Sequence, residues 1–339
     1  MQHQGHEGRS GGGHPLIELR RMSGTSTSLL LTEHSLCPLC SGRAVPHLTG
    51  TYDLHYGIKG RWNYQRCESC RVVFLNPAPT ELFLRGAYDD SYYSYQEFSP
   101  RKPWQVWLRR MLGYDLGITG DPKFASPGRV LDIGCGSGEY LWKMKATGWE
   151  THGVELSATA AEIGNGRYGL NIHVGTLASA DLPLRYFEYV RLNHSFEHLL
   201  DPRQTLALIH RHLAPYGMLF IGVPNVDGWQ AKLFGKYWWN LGPPVHPFNY
   251  SKSTLSNLLV QHGFELVSFR TNSNFSGILG SLQMALNGRR SICTDTGRLF
   301  TNPAAKLLAH WLAKLSDVFS AGDCLEITAR KRSASGTLP

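Results

Sequence analysis

Arg129-Val-Leu-Asp-Ile-Gly-Cys-Gly-Ser-Gly-Glu-Tyr-Leu141 decides the fold of this 339-residue chain. Val130, Leu131 and Ile133 predict a strand buried on both faces, and Leu141, Trp142 and Met144 open a helical apolar stripe beyond the glycines. Between strand and helix, Gly134, Gly136 and Gly138 allow a sharp turn and a close approach of backbone to ligand, where a Cβ would clash. Such a turn presents N–H groups and a helix N-terminus to whatever lies above the strand. Two ligands suit it, a dinucleotide or a nucleoside joined to methionine. A dinucleotide fingerprint needs glycine or alanine three residues after the second glycine, so that helix and strand pack closely. Glu139 stands there instead.

Outward from the turn, Thr151-His-Gly-Val-Glu155 reads as a second strand ending in a carboxylate, 21 residues beyond Gly134. That is close to the roughly 20-residue spacing at which an acid meets a ribose, and a carboxylate can accept both ribose hydroxyls. Ser157 is placed to cap the helix that follows. Further strands are expected at Asn171–Gly175, at Phe187–Asn193 and within Leu213–Asn225.

The G-x-G-x-G spacing with Asp132 in the strand end resembles the first motif of class I S-adenosylmethionine (SAM) methyltransferases. His194-Ser-Phe-Glu-His198-Leu-Leu-Asp-Pro202 resembles a segment of one subfamily, in which Glu-His precedes an Asp-Pro helix start. The resemblance implies an α/β chain with the Rossmann-like class I methyltransferase fold, a seven-stranded, mostly parallel sheet. The cofactor positions it implies are Asp132, Gly134, Cys135, Gly136, Gly138, Glu155, Leu156, Thr176, Asn193 and His194. One departure stands out: where many relatives carry an acid for the adenine amine, this chain has Thr176, whose hydroxyl can still accept that bond.

Cys37-Pro-Leu-Cys40 and Cys67-Glu-Ser-Cys70 are two C-x-x-C pairs separated by 26 residues. Each pair forms a tight knuckle, and four thiolates complete a closed tetrahedral shell, so structural Zn²⁺ is expected at Cys37, Cys40, Cys67 and Cys70. A module this small has little core of its own and would draw folding free energy from the metal. Cys135 is expected to be a small residue of the glycine turn, with no base placed beside it by the sequence.

With 42% apolar and 18% charged residues the chain can bury a core, and its formal charge of +8 is scattered. No run of eighteen apolar residues occurs and the N-terminus lacks a secretory pattern, so a cytoplasmic protein is expected. The organisation read from these signals is a disordered tail at 1–33, a zinc ribbon at 34–76 and a linker with a tyrosine-rich, helical lid at 77–127. The methyltransferase domain follows at 128–330, with a helical insertion at about 275–320, and a tail at 331–339. Ribbon, tyrosine segment (Tyr88 to Tyr95) and core together resemble a bacterial group of zinc-ribbon class I methyltransferases, associated with glycan and sugar modification.

The sulfonium of SAM is already activated, so the protein must align an acceptor and handle one proton. His198, His246 and Glu197 are the expected catalytic residues, and Lys236–Tyr250 the expected aromatic wall of the acceptor site. Glu197 and His198 also read as groups that fix the loop by hydrogen bonds. Leu307–Leu315 predicts an amphipathic helix, within 303–320, that packs on its own domain or on a second subunit, or makes peripheral contact with a membrane. The leading function is methyl transfer to a sugar, glycan or related small molecule. A nucleic-acid methyltransferase and a non-catalytic SAM-binding scaffold are the alternatives. The former is disfavoured because Asn193-His-Ser-Phe196 lacks the Asn-Pro-Pro-aromatic pattern.

Overall fold

The computed structural model describes residues 30–55, 57–87, 98, 102, 104, 107, 111, 120, 124–288 and 297–332. The tyrosine-rich segment Tyr88 to Tyr95 lies outside them, as do the tails 1–29 and 333–339 and most of residues 96–123 of the expected lid.

Among the described residues the strands, in chain order, are β1 Leu31–Thr32, β2 Ala44–Thr51, β3 Trp62–Cys67, β4 Val73–Leu75, β5 Ala78–Pro79, β6 Arg129–Ile133, β7 Glu150–Glu155, β8 Ile172–Val174, β9 Phe187–Asn193, β10 Leu213–Pro224, β11 Phe248–Asn249, β12 Phe264–Thr271 and β13 Cys324–Lys331. Seven of them form one sheet in the order β12-β13-β10-β9-β6-β7-β8. β10, β9, β6, β7 and β8 are parallel, and β13 alone runs against its neighbours β10 and β12. The chain is therefore a Rossmann-like methyltransferase fold with a mostly parallel sheet. Strand order reverses between β6 and β9, and ligands of open α/β sheets settle at the carboxyl ends beside such a switch.

The sheet is covered on both faces, which is why its central strands read as unbroken apolar runs. Val130, Leu131, Val190, Leu192, Leu219 and Ile221 are each fully buried. The helix after the glycine turn, Glu139–Ala146, contributes Tyr140, Leu141 and Met144 to one side. The helix Pro202–His212 contributes Leu206 and Ile209 to the core of the other side, and starts at the expected Asp201 cap, whose carboxylate accepts the Gln204 N–H at 2.9 Å.

Four strands form a second sheet, β11-β4-β3-β2. Three belong to the cysteine-bearing segment, but β11 comes from far down the chain and pairs antiparallel with β4, Phe248 opposite Phe74 and Asn249 opposite Val73. Tyr64 of β3 points its buried hydroxyl at Leu241 O, 3.0 Å away, and the Leu75 N–H donates to Pro247 O at 2.9 Å. The expected aromatic wall is consequently mostly a packed connector. Trp238 and Leu241 are buried with Trp62, Tyr64, Val73 and Leu75, and each such side chain contributes about 1.5–3 kcal/mol. The driving force is apolar surface on both segments, which neither could bury alone.

The insertion is helical: Phe275–Asn287, Arg298–Thr301 and Pro303–Val318. Ala309 and Ala313 of the last helix pack on Ile278, Leu279 and Phe300. Its opposite face leaves Leu308, Trp311, Leu315 and Val318 exposed. Among the described residues no helix is long and apolar enough to cross a membrane.

Candidate functional site

The glycine turn sits where β6 ends. Gly134 has φ +73°, and a Cβ there would lie 2.5 Å from the Ser195 Cβ, so glycine is required by conformation and by contact. That contact sets the loop after β9 directly against the turn, and the Ser195 hydroxyl donates to Ile133 O at 2.7 Å. At the end of β7, buried Glu155 accepts the Gly136 N–H at 2.8 Å and the Ser157 N–H at 2.9 Å. One carboxylate thus braces the glycine turn and the next helix start. A carboxylate has about four lone-pair sites, and two of them remain for ribose hydroxyls. A fixed acid, a glycine turn and a helix N-terminus at the carboxyl edge fit the adenosyl and ribose parts of SAM.

The other expected cofactor residues sit as follows. Asp132 is buried against Arg191 of β9, whose Nη1 lies 3.0 and 3.1 Å from its two oxygens and whose guanidinium stacks 3.9 Å from the Tyr140 ring centre. Burial pushes the Asp132 carboxyl up to about 6, opposed by Arg191. Its partner is thus a strand neighbour. Cys135 turns inward onto Gly153 of β7, and burial raises its thiol well above the ordinary range, the setting of a packing residue. Gly138 caps the following helix in the left-handed region, and Leu156 stays exposed beside Glu155. The Thr176 N–H donates to Ser179 Oγ at 3.0 Å in the loop after β8. Asn193 ends β9, His194 follows it, and both line a pocket of about 320 Å³ with Asn272, Asn274, Phe275 and Lys314.

Two residues beyond Ser195 lies Glu197, 1% exposed, with neither carboxylate oxygen hydrogen-bonded among the described residues. His194 Nδ1 stands 3.4 Å from Glu197 Oε1. The ligand-capable atoms of Glu197, His198 and His246 all lie within 4.8 Å of one another. The two imidazoles meet edge to face with centroids 4.7 Å apart. His198 Nδ1 lies 2.7 Å from Val245 O and His246 Nδ1 lies 3.0 Å from Asn240 O. A carbonyl oxygen only accepts, so both Nδ1 atoms carry protons, and in a neutral ring the lone pair is on Nε2. Burial, then the field of His198, pushes His246 down to about 3, which keeps it neutral. For Glu197 burial opposes ionisation, but the His194 contact and the field of His198 outweigh it and hold the carboxyl at about 2. Gly242 (φ +61°) permits the turn that seats His246; a Cβ there would fall 2.3 Å from His246 Nδ1.

The four expected thiols also meet. Cys37 Sγ and Cys70 Sγ are 3.7 Å apart, Cys40 Sγ and Cys67 Sγ 3.4 Å apart, and all four lie within 4.8 Å. Zn–S bonds of about 2.3 Å in a tetrahedron put sulfurs about 3.8 Å apart. The set fits zinc and is far too open for a disulfide, whose sulfurs sit about 2 Å apart. The hydrogen bond with Cys70 holds the Cys37 thiol down at about 5.

Three supports escape a reading of the sequence alone. Arg191 could have been flagged, since a cation inside the apolar run Phe187–Asn193 needs a carboxylate on an adjacent strand. Tyr64 and Asp323 give no such signal. Buried Asp323 accepts Trp238 Nε1–H at 2.6 Å and Asn240 Nδ2–H at 2.7 Å, fixing the residue whose carbonyl holds His246.

Comparison with known proteins agrees with this geometry. Residues 95–269, just over half of the chain, match the family described as a methyltransferase domain. An uncharacterized 37.1 kDa protein in a transposon of Streptomyces fradiae is 28% identical over 171 residues, 46% of this chain and 50% of that one. The chain therefore spans about half the length of the curated relative it matches. Among solved structures, a SAM-dependent methyltransferase from Archaeoglobus fulgidus is 22% identical, with 67% of this chain and 93% of that one covered and a TM-score of 0.42. A chain of the Haloferax volcanii complex between a methyltransferase activator and a putative methyltransferase is 15% identical, with 69% and 91% covered and a TM-score of 0.46. With the family matched across the glycine turn and the loop after β9, this chain belongs to the methyltransferase domain family.

Proposed function

We propose that the chain transfers a methyl group from SAM to a hydroxyl of a sugar, glycan or related small molecule, at the carboxyl edge between β6 and β9. The observation that carries this reading is the Gly134–Ser195 contact, which brings the glycine turn and Glu155 against the loop that bears Glu197 and His198. SAM, when bound, supplies an activated methyl on sulfur, so that a C–O bond forms as the S–C bond breaks and S-adenosylhomocysteine leaves. Glu155 with the turn orients the adenosyl group, and Asn193 and His194 border the methionine side. Asn272, Asn274 and Lys314 offer amide and ammonium groups to a polyhydroxyl acceptor, and Phe275 offers a ring face. The acceptor's proton leaves toward the Glu197–His198–His246 cluster, carried by the loop that packs on the turn through Ser195.

In the same reading residues 34–76 are a zinc ribbon, residues 128–330 the catalytic domain, and the ribbon steadies the 241–249 connector that carries His246. Calorimetric titration with S-adenosylhomocysteine tests the reading. The wild type should bind, and Glu155→Ala should bind about 10- to 100-fold more weakly, the loss of one or two hydrogen bonds to a charged group. A folded, zinc-loaded protein that binds no S-adenosylhomocysteine rejects it.

A further inference from the structure

Glu197 poses a chemical problem. A carboxylate removed from water needs compensation, because an ionised group that is buried and unpaired costs several kcal/mol. Its oxygens accept no hydrogen bond among the described residues; His194 Nδ1 stands at ion-pair distance, 3.4 Å, and ligand-capable atoms of His198 and His246 lie within 4.8 Å. Those last two rings are oriented in a specific way. Each gives its Nδ1–H to a main-chain carbonyl, Val245 O and Asn240 O, which leaves Nε2 as the nitrogen able to offer a lone pair. Imidazoles held by carbonyls through one nitrogen are the usual supports of metal-ligating histidines, because that bond fixes the tautomer and aims the ring.

We infer that Glu197, His198 and His246 form a site for one divalent transition-metal cation, separate from the four-cysteine site. The ligand-capable atoms already lie within 4.8 Å of one another, and bonds of about 2.1 Å need donors about 3 Å apart, a contraction within the reach of side-chain rotation. Two imidazoles and one carboxylate make a three-ligand face, which leaves positions open to outside oxygen donors. The donors are nitrogen and oxygen, unlike the soft thiolate set of the ribbon, so the two sites would prefer different ions. A cation here would neutralise Glu197 and stand beside the turn through Ser195 and Gly134. This inference deepens the reading of the cluster as the acceptor's proton-handling group, and rests on that reading only for its catalytic consequence: a hydroxyl that meets the cation loses its proton more easily.

Mn²⁺ is the probe, added to the full-length, zinc-loaded protein and followed by the paramagnetic resonance of free and bound ion. The expected result is about one Mn²⁺ per chain, echo modulation from imidazole nitrogen, and binding weakened at least about tenfold in Glu197→Gln and in His246→Gln. S-adenosylhomocysteine titration of the same samples reports both the fold and the methyltransferase reading. A wild type that binds S-adenosylhomocysteine but takes up no Mn²⁺ overturns the site and leaves the methyltransferase reading in place. A wild type that takes up Mn²⁺ but no S-adenosylhomocysteine upholds the site and sinks that reading. Bound Mn²⁺ without nitrogen modulation overturns the site whatever the variants do, so misfolded variants leave the question decidable.

Discussion

Two clusters of ligand-capable side chains stand among the described residues, and they are built in opposite ways. The four cysteines come from two knuckles of one short segment, Cys37–Cys40 and Cys67–Cys70, and the strands between them are neighbours in sequence. The Glu197–His198–His246 cluster joins a loop after β9 to a connector almost fifty residues later, and the bond from His198 to Val245 O spans 47 positions. The first is coded locally; the second depends on how the chain folds around it. They are also linked, because β11 begins two residues after His246 and completes the four-stranded sheet of the cysteine-bearing segment.

The largest expected effect tests that link. Zinc in such small modules carries on the order of 10 kcal/mol of folding free energy, so chelation or Cys67→Ser should abolish zinc binding and open residues 34–79 to protease. Because Phe248 and Pro247 are held by β4, the connector bearing His246 should loosen too, while Glu155 and the glycine turn keep S-adenosylhomocysteine binding. Zinc-free protein with undiminished protease resistance would break the comparison, since both clusters would then stand without the metal. Next in size, His198→Ala should lower turnover on an accepted hydroxyl substrate by about 10²- to 10⁴-fold with S-adenosylhomocysteine affinity unchanged. Unaltered turnover would leave His198 as a loop-fixing residue.

How much was legible follows from the same contrast. The glycine turn, Glu155 and the cysteine pairs announce themselves through spacing within short stretches, and the parallel strands through apolar runs. Glu197, His198 and His246 could each be named from the sequence, but their convergence could not, because it depends on the β4–β11 pairing and on the Gly242 turn. For the same reason the aromatic connector read as an acceptor wall. Trp238 has its indole N–H on Asp323 and packs with Trp62, Tyr64 and Leu75, contacts that no local pattern encodes.

Arg191 gives a third, intermediate case, a long-range pair with a local warning. Arg191→Ala leaves Asp132 buried without its cation and should cost about 3–5 kcal/mol in denaturant unfolding. Asp132→Asn with Arg191→Met in one chain should recover much of that loss, since a buried pair contributes little net stability over an uncharged replacement. A double variant as unstable as Arg191→Ala would mean that the pair does more than neutralise itself.

The smallest effect probes what lies behind the long-range cluster. Asp323 is buried and its carboxyl is pushed up to about 6, by burial first and by the field of Asp317, against the Trp238 hydrogen bond and the field of His194. An acid whose pKa is higher in the folded chain than in the unfolded one binds its proton more tightly when folded. Its stabilising contribution is therefore complete below about pH 4 and lost as pH rises through about 6. Over that interval the change is on the order of 3 kcal/mol, and Asp323→Asn should not show it. Melting temperatures of the two proteins from pH 4 to 7 should converge or cross as the wild type loses this contribution. Parallel curves would mean that Asp323 is already ionised throughout, with its charge balanced by Trp238 and Asn240. In that case the carbonyl of Asn240, and with it His246, is held by a permanent ion rather than by a group that titrates.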